Sequence, residues 1–74
     1  MRVKTIDATG LLCPMPVLKA QKALRDMMAG DLLEVLATDK ASATEFPAFC
    51  EQTGHQLIES AETAGVWRFR LRKT

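Results

Sequence analysis

A thiol stands between a glycine and two prolines in the segment GLLCPMP, which covers residues 10–16. Proline suits the first turn of a helix, where backbone N–H groups have no partner within the helix, so Pro14 and Pro16 predict a helix start. Cys13 would then lie at or beside the N-cap, where the helix dipole favours a thiolate and should lower the thiol pKa. Gly10 suits a backbone position with positive φ. The segment therefore predicts a reactive sulfur on a rigid base.

The chain lacks the partner residues that disulfide exchange, zinc binding or cysteine hydrolysis would require. The chain has two cysteines and one histidine, which form no Cys-x-x-Cys motif and no zinc-type ligand set. No motif links the histidine, His55, to Cys13 as the base of a cysteine hydrolase. We therefore predict no metal and no cofactor. A lone activated thiol suits a sulfur atom that is received, held as a persulfide and passed on.

The second cysteine is predicted to be a core residue, and the first residues and the apolar runs bear on the cellular compartment. Cys50 shares the apolar face of a predicted helix with Phe46 and Phe49, so we interpret it as a core residue. In a reducing compartment both thiols are expected to be free, with a disulfide between Cys13 and Cys50 as the alternative. The first residues lack the apolar core of a signal peptide, and no apolar run is long enough to span a membrane. We expect a cytoplasmic protein that is not bound to a membrane.

The first half of the chain predicts a strand, a helix and a second strand. Residues 2–6 are compatible with a short strand. Apolar residues recur at spacings of three and four after Pro14, and Gly30 is the predicted stop of that helix. Residues 32–38 are almost continuously apolar, as in a central strand. Because a helix joins them, the two strands should be parallel, with a right-handed crossover.

The second half predicts a helix and a hairpin. Ser42–Glu45 has the spacing of a capping box, but Pro47 would then fall beyond the first turn, where its missing N–H matters. The helix therefore either begins near Thr44 or opens with a tighter turn, and it ends at Gly54. Residues 57–61 form a strand, and a turn leads into the last one. That last strand alternates strictly, so its apolar residues point to one side and its arginines to the other: Trp67, Phe69 and Leu71 against Arg68, Arg70 and Arg72.

Together these elements predict an α+β fold, a two-layer α/β sandwich with the order β-α-β-α-β-β. The sheet should be mixed and four-stranded, with both helices on one face, because one face of each strand is consistently apolar. With 74 residues, 47% hydrophobic and 26% charged, the chain has room for one domain, residues 1–74. Besides the apolar residues of the last strand, the predicted core includes Val17, Leu24, Leu36 and Phe49.

The arginine row suggests a different class of function. Arg68, Arg70 and Arg72 on an open sheet face could contact phosphates, so an RNA-binding or protein-binding regulatory module is the alternative. The formal net charge is only +1, and Trp67 points toward the core, so the face has no stacking platform for bases. We therefore expect no direct contact with nucleic acid. The arginines are better suited to docking an acidic patch on a partner protein.

The segment DATGLLCPMP, residues 7–16, resembles the signature of the TusA/SirA family of sulfur-carrier proteins. Residues 33–39, residues 49–54 and the basic last strand extend the resemblance over nearly the whole chain. The resemblance implies that Cys13 accepts persulfide sulfur from a cysteine desulfurase or a rhodanese-type donor. It further implies delivery to acceptors in tRNA thiolation, cofactor maturation or sulfur oxidation, which is at most a sulfurtransferase activity.

The same resemblance gives the neighbours of the cysteine their roles. Pro14 and Pro16 would frame the sulfur, together with Gly10. The best-known members that serve tRNA thiolation carry charged residues where this chain has Leu12 and Met15. The rim of the site is therefore predicted to be apolar, and it is a candidate docking surface for the donor and acceptor proteins.

Overall fold

The computed structural model describes residues 2–74 and contains the elements in the predicted order. The strands form one sheet with the order β1-β2-β4-β3. β1 and β2 are parallel, and the other neighbouring pairs are antiparallel, so the predicted mixed four-stranded sheet is confirmed. The element bounds are β1 Val3–Ala8, α1 Met15–Arg25, β2 Leu32–Ala37, α2 Ser42–Thr53, β3 Gln56–Thr63 and β4 Val66–Arg72.

Both helices cover the same face of the sheet. The alternate residues of β2 that face the helices are fully buried, namely Leu33, Val35 and Ala37. Phe46 of α2 stacks on Phe69 of β4 with 4.5 Å between the ring centroids. The helices add Ala20, Ala23, Leu24 and Cys50 to this single apolar cluster. The predicted two-layer α+β sandwich is therefore confirmed.

One predicted core residue lies on the other face. Leu36 is half-buried and points to the open side of the sheet, beside Asp7 of β1 and Arg68 of β4 in the strand register. The prediction that Leu36 belongs to the core was wrong because β2 is apolar on both faces. Such a strand gives little alternation from which to read its orientation.

The first helix is shorter than predicted. It ends at Arg25 with Asp26 as its C-cap, rather than continuing to Gly30. The following turn is held by a buried carboxylate, Asp31, which accepts hydrogen bonds from the backbone N–H groups of Met28 and Arg2.

No helix within residues 2–74 is both long enough and apolar enough to cross a membrane.

The start of α2 also differs from the prediction. Its N-cap is Ala41, which makes no side-chain hydrogen bond to the helix, so the predicted capping box is absent. The Ser42 hydroxyl is buried and has no hydrogen-bond partner within the described residues. Glu45, the other member of the predicted box, instead contacts the segment before α1. At the other end, Gly54 has φ +84° and closes the helix as predicted.

Candidate functional site

The candidate site lies where two loops meet at one edge of the sheet. Because β1 and β2 are parallel, the loops that follow them leave the sheet at the same edge. The backbone N–H of Gly10 donates to Thr38 Oγ1 over 2.8 Å, and the backbone N–H of Cys13 donates to Asp39 Oδ2 over 2.7 Å. Gly10 has φ +79°, as its position in the motif predicts. These two hydrogen bonds fix the cysteine loop to its neighbour.

The two prolines shape the beginning of α1. Pro14 is the N-cap and Pro16 lies in the first turn with its side chain fully buried. The peptide bond between Cys13 and Pro14 is cis. The N–H of Met15 donates to the Leu12 carbonyl over 2.9 Å, which closes a turn around the cysteine. Cys13 therefore stands one residue before the N-cap, as the prolines predicted.

The sulfur of Cys13 is exposed and bonded to an acidic side chain. The Cys13 thiol donates a hydrogen bond to Oε2 of Glu45, which lies in the first turn of α2. The other oxygen of that carboxylate, Oε1, is buried and has no hydrogen-bond partner within residues 2–74. The site thus combines a thiol from one helix start with a carboxylate from the other.

These acidic neighbours raise the pKa of the Cys13 thiol. The largest cause is the hydrogen bond to Glu45, followed by partial desolvation and by the negative charges of Glu45 and Asp39. Each of these effects favours the neutral thiol over the thiolate. The predicted lowering of this pKa was therefore wrong. It rested on the helix dipole alone, and nothing in the local sequence showed that two carboxylates would approach the sulfur.

The second thiol is in a different environment. Cys50 is 5% exposed and packs in the core, as predicted, and neither cysteine forms a disulfide. Burial raises the pKa of the Cys50 thiol. Within residues 2–74, no cluster of three His, Cys, Asp or Glu side chains is arranged to hold a metal. Cys13 thus provides the accessible sulfur and Cys50 the enclosed one.

Exposed apolar side chains lie close to Cys13 in the sequence. Leu12 is 73% exposed and Met15 is 49% exposed, which agrees with the apolar rim predicted for the site. Leu18, which is 47% exposed, was missed by the sequence analysis. Its position three residues after Met15 on a helix was the available signal, because such residues share a face. These three residues form the apolar rim.

The arginines lie on the sheet face away from the helices and are partly neutralised. They occupy the open face of the sheet, as predicted, and Arg72 is in register with Leu32, at the opposite end of β2 from the cysteine loop. Arg68 Nε lies 3.2 Å from Glu59, and Arg70 Nε lies 3.0 Å from Glu34 and 3.7 Å from Glu59. The sequence had suggested a continuous cationic row. The face is instead a mixed charge network, which weakens the case for an RNA-binding surface.

Known proteins resemble this chain over almost all of its length. The sequence model of the family described as Sulfurtransferase TusA matches residues 4–73. The chain belongs to the TusA family of sulfur carriers. The sulfur carrier protein TusA of Allochromatium vinosum is 46% identical over 69 residues, covering 93% of this chain and 91% of that protein. TusA of Pseudomonas paraeruginosa is 44% identical, covering 92% of this chain and 86% of that protein.

A solved structure supports the same family and fold. The crystal structure of a SirA-like protein from Desulfitobacterium hafniense has a TM-score of 0.83 and 35% sequence identity, with 95% of each chain covered. The predicted resemblance to the TusA/SirA family is therefore confirmed. Membership of the TusA family implies that this protein has sulfur-transfer partners.

Proposed function

We propose that this protein carries sulfur as a persulfide on Cys13. The observation that supports this assignment most directly is the exposure of the Cys13 thiol on a loop fixed by hydrogen bonds, while Cys50 is enclosed in the core. A carrier sulfur must be reachable by two different proteins in turn, and an accessible cysteine at a rigid helix start meets that requirement. Gly10, Pro14 and Pro16 frame it.

The reaction is a sulfur exchange without net oxidation. Cys13 Sγ attacks the terminal sulfur of a persulfide on the donor, a cysteine desulfurase or a rhodanese-type protein. A new S–S bond forms on Cys13, the S–S bond of the donor breaks, and the donor cysteine leaves as a thiolate. The same exchange with an acceptor protein then empties the carrier. The acceptor serves tRNA thiolation, cofactor maturation or sulfur oxidation.

The surroundings of Cys13 suit docking of a partner protein. The apolar rim of Leu12, Met15 and Leu18 offers exposed apolar area on the segment that carries the cysteine. A partner that covers this rim gains free energy from its burial and excludes water from the exchanging sulfurs. Residues 1–74 act as a single carrier domain, and the cytoplasm, where thiols stay reduced, is the fitting compartment.

Mass spectrometry of the intact protein tests this function. The protein is incubated with a cysteine desulfurase and cysteine, and we expect it to gain the mass of one sulfur atom, which a reductant should remove. Cys13→Ser should gain none, whereas the matched variant Cys50→Ala should load as the wild type does. Sulfur on Cys50, or loading of Cys13→Ser, would contradict the assignment.

A further inference from the structure

The carboxylate of Glu45 contacts the reacting sulfur of Cys13, but the exchange described above does not use it. Its Oε2 accepts the hydrogen bond from Cys13 Sγ, and the two residues come from different helix starts. The proposed exchange requires the Cys13 proton to leave before or during attack on the donor persulfide, because the thiolate is the nucleophile. A base in contact with the thiol is therefore in position to act.

The groove around Glu45 offers its carboxylate no charged partner. Glu45 lines a groove between the helices. The other lining residues are Pro14 at the N-cap of α1, Val17 of α1, and Ala48, Phe49 and Gln52 of α2. These neighbours carry no charge, and Oε1 of Glu45 is buried without a hydrogen-bond partner within residues 2–74. No local hydrogen bond at α2 holds this side chain, because the predicted capping box does not form. The hydrogen bond with the thiol accordingly sets the direction of Oε2.

The second carboxylate near the thiol and the nearest lysine of α1 make hydrogen bonds to backbone groups instead. Asp39, from the loop after β2, acts on the thiol through its charge, but its Oδ2 accepts the backbone N–H of Cys13 and its Oδ1 accepts the N–H of Ala41. Lys19, the cation closest in sequence on α1, donates from Nζ to the Asp7 carbonyl. Glu45 is thus the titratable side chain that directly contacts Cys13 Sγ.

We propose that Glu45 is the proton acceptor of the sulfur exchange, an inference that rests on the function proposed above. As Cys13 Sγ forms its bond to the terminal sulfur of the donor persulfide, its proton passes to Glu45 Oε2. The electron pair of the broken S–S bond leaves on the donor cysteine, and Glu45 returns the proton to that thiolate. Delivery to an acceptor thiol is the same exchange in reverse, with the acceptor's proton reaching Cys13 through Glu45.

A small persulfide donor separates this role from partner docking. We would measure acceptance of sulfur from glutathione persulfide by time-resolved intact mass across a pH series. The thiol pKa would be followed in parallel through the ultraviolet absorbance of the thiolate. The variants are Glu45→Gln, which removes the base, Glu45→Asp, which keeps a carboxylate, and Glu51→Gln. Glu51 is exposed on α2 and provides the matched change of charge.

The thiol pKa and the rate of sulfur acceptance should both fall in Glu45→Gln, although a lower pKa alone would increase the rate. Its thiol pKa should fall, because the carboxylate that raises it is gone. Its sulfur acceptance at neutral pH should nevertheless slow by roughly a hundredfold, the lower end of the contribution of a positioned general base. The rate of this variant should also rise with pH in proportion to the thiolate fraction. Glu45→Asp should recover part of the rate, and Glu51→Gln should match the wild type.

Each contrary result has a distinct meaning. A Glu45→Gln variant that accepts sulfur as fast as the wild type, or faster, overturns the role of Glu45 and leaves the carrier function intact. Wild type that accepts sulfur neither from glutathione persulfide nor from a desulfurase overturns the carrier function and this role with it. If Glu45→Gln does not fold, the pH dependence of the wild-type rate of sulfur acceptance decides. A rate proportional to the thiolate fraction overturns the proposal. A rate that is nearly independent of pH below the thiol pKa supports it.

Discussion

Asp39 ties the cysteine loop to the start of the second helix. Its Oδ2 accepts the backbone N–H of Cys13 over 2.7 Å, while its Oδ1 accepts the N–H of Ala41 over 3.2 Å. One carboxylate therefore connects the two loops that follow the parallel strands. Because Glu45 follows Ala41 closely on α2, the same connection sets the distance between the thiol and the Glu45 carboxylate.

Replacing Asp39 by Ala should loosen the cysteine loop. The Cys13 amide should exchange with deuterium faster, because its hydrogen-bond acceptor is lost, and the free energy of unfolding should fall by about 1 kcal/mol. The pKa of the Cys13 thiol should also fall, since the Asp39 charge contributes to raising it. Amide exchange by NMR and denaturant unfolding measure these effects. Asp26→Ala, at an exposed position after α1, is the control, and equal exchange in both variants would contradict the connection.

Polar substitution at Cys50 should lower stability without blocking sulfur loading. Cys50 is 5% exposed and lies among apolar side chains, so Cys50→Ser places a hydroxyl where the neighbouring side chains cannot accept its hydrogen bond. The expected cost in the free energy of unfolding is about 1–3 kcal/mol. Chemical denaturation measures it, with Cys13→Ser as the exposed counterpart that should remain close to the wild type. A Cys50→Ser protein that is fully stable would show that this site is not sealed from water.

The open sheet face should bind RNA only when its carboxylates are removed. Arg68 and Arg70 are paired with Glu34 and Glu59, so wild type should show no salt-dependent affinity for single-stranded RNA. Replacing both glutamates by Gln should create such an affinity, because the guanidinium charges are then uncompensated. Fluorescence anisotropy over a salt series measures it.

The converse result would restore the alternative function. If wild type binds RNA, and the triple Gln variant of Arg68, Arg70 and Arg72 does not, the arginine face is a nucleic-acid surface. The triple variant should otherwise fold normally, since exposed ion pairs contribute only about 0–1 kcal/mol each.

Asp31 should make the fold sensitive to acid. Hydrogen bonds from the backbone N–H groups of Met28 and then Arg2 hold the pKa of this carboxyl below its ordinary value. The folded state therefore binds the proton less readily than the unfolded chain. The stabilisation is complete above the unfolded pKa of about 3.9 and is lost as the pH falls through the lower folded value.

Asp31→Asn should accordingly reduce the loss of stability in acid. Urea unfolding between neutral pH and the acid limit should show a shallower slope for this variant, together with lower stability at neutral pH. The slope should not vanish, because hydrogen bonds from Thr9 also lower the pKa of Asp7. Asp26→Asn should match the wild type at neutral pH, and an Asp31→Asn slope equal to the wild-type slope would contradict the assignment.

The fold could be predicted where a pattern was local and regular. The alternation from Trp67 to Arg72 and the prolines at the start of α1 each identify an element from its own residues. Leu36 was misplaced because β2 presents apolar residues on both faces, so packing of the helices decides which side is buried. Element order was thus easier to predict than orientation.

The site was harder to predict because its chemistry depends on distant residues. Glu45 lies 32 residues from Cys13, and its spacing from Ser42 also matches a local helix cap. The local pattern favoured the cap, but the structure directs the carboxylate to the thiol. The thiol pKa was predicted in the wrong direction for the same reason, since the motif showed the dipole of its own helix but not the charges of Asp39 and Glu45, which approach from elsewhere in the chain.

The register shift in β3 has a consequence for self-association. β3 is an edge strand of the sheet, and its pairing with β4 is interrupted between Leu57 and Glu59, where Ile58 is 52% exposed. An uninterrupted edge would offer a regular row of N–H and C=O groups to a strand of another molecule, which promotes aggregation. The interruption breaks that row and bends the strand. The β3 edge is therefore a poorer template for a strand of another molecule than an uninterrupted strand would be.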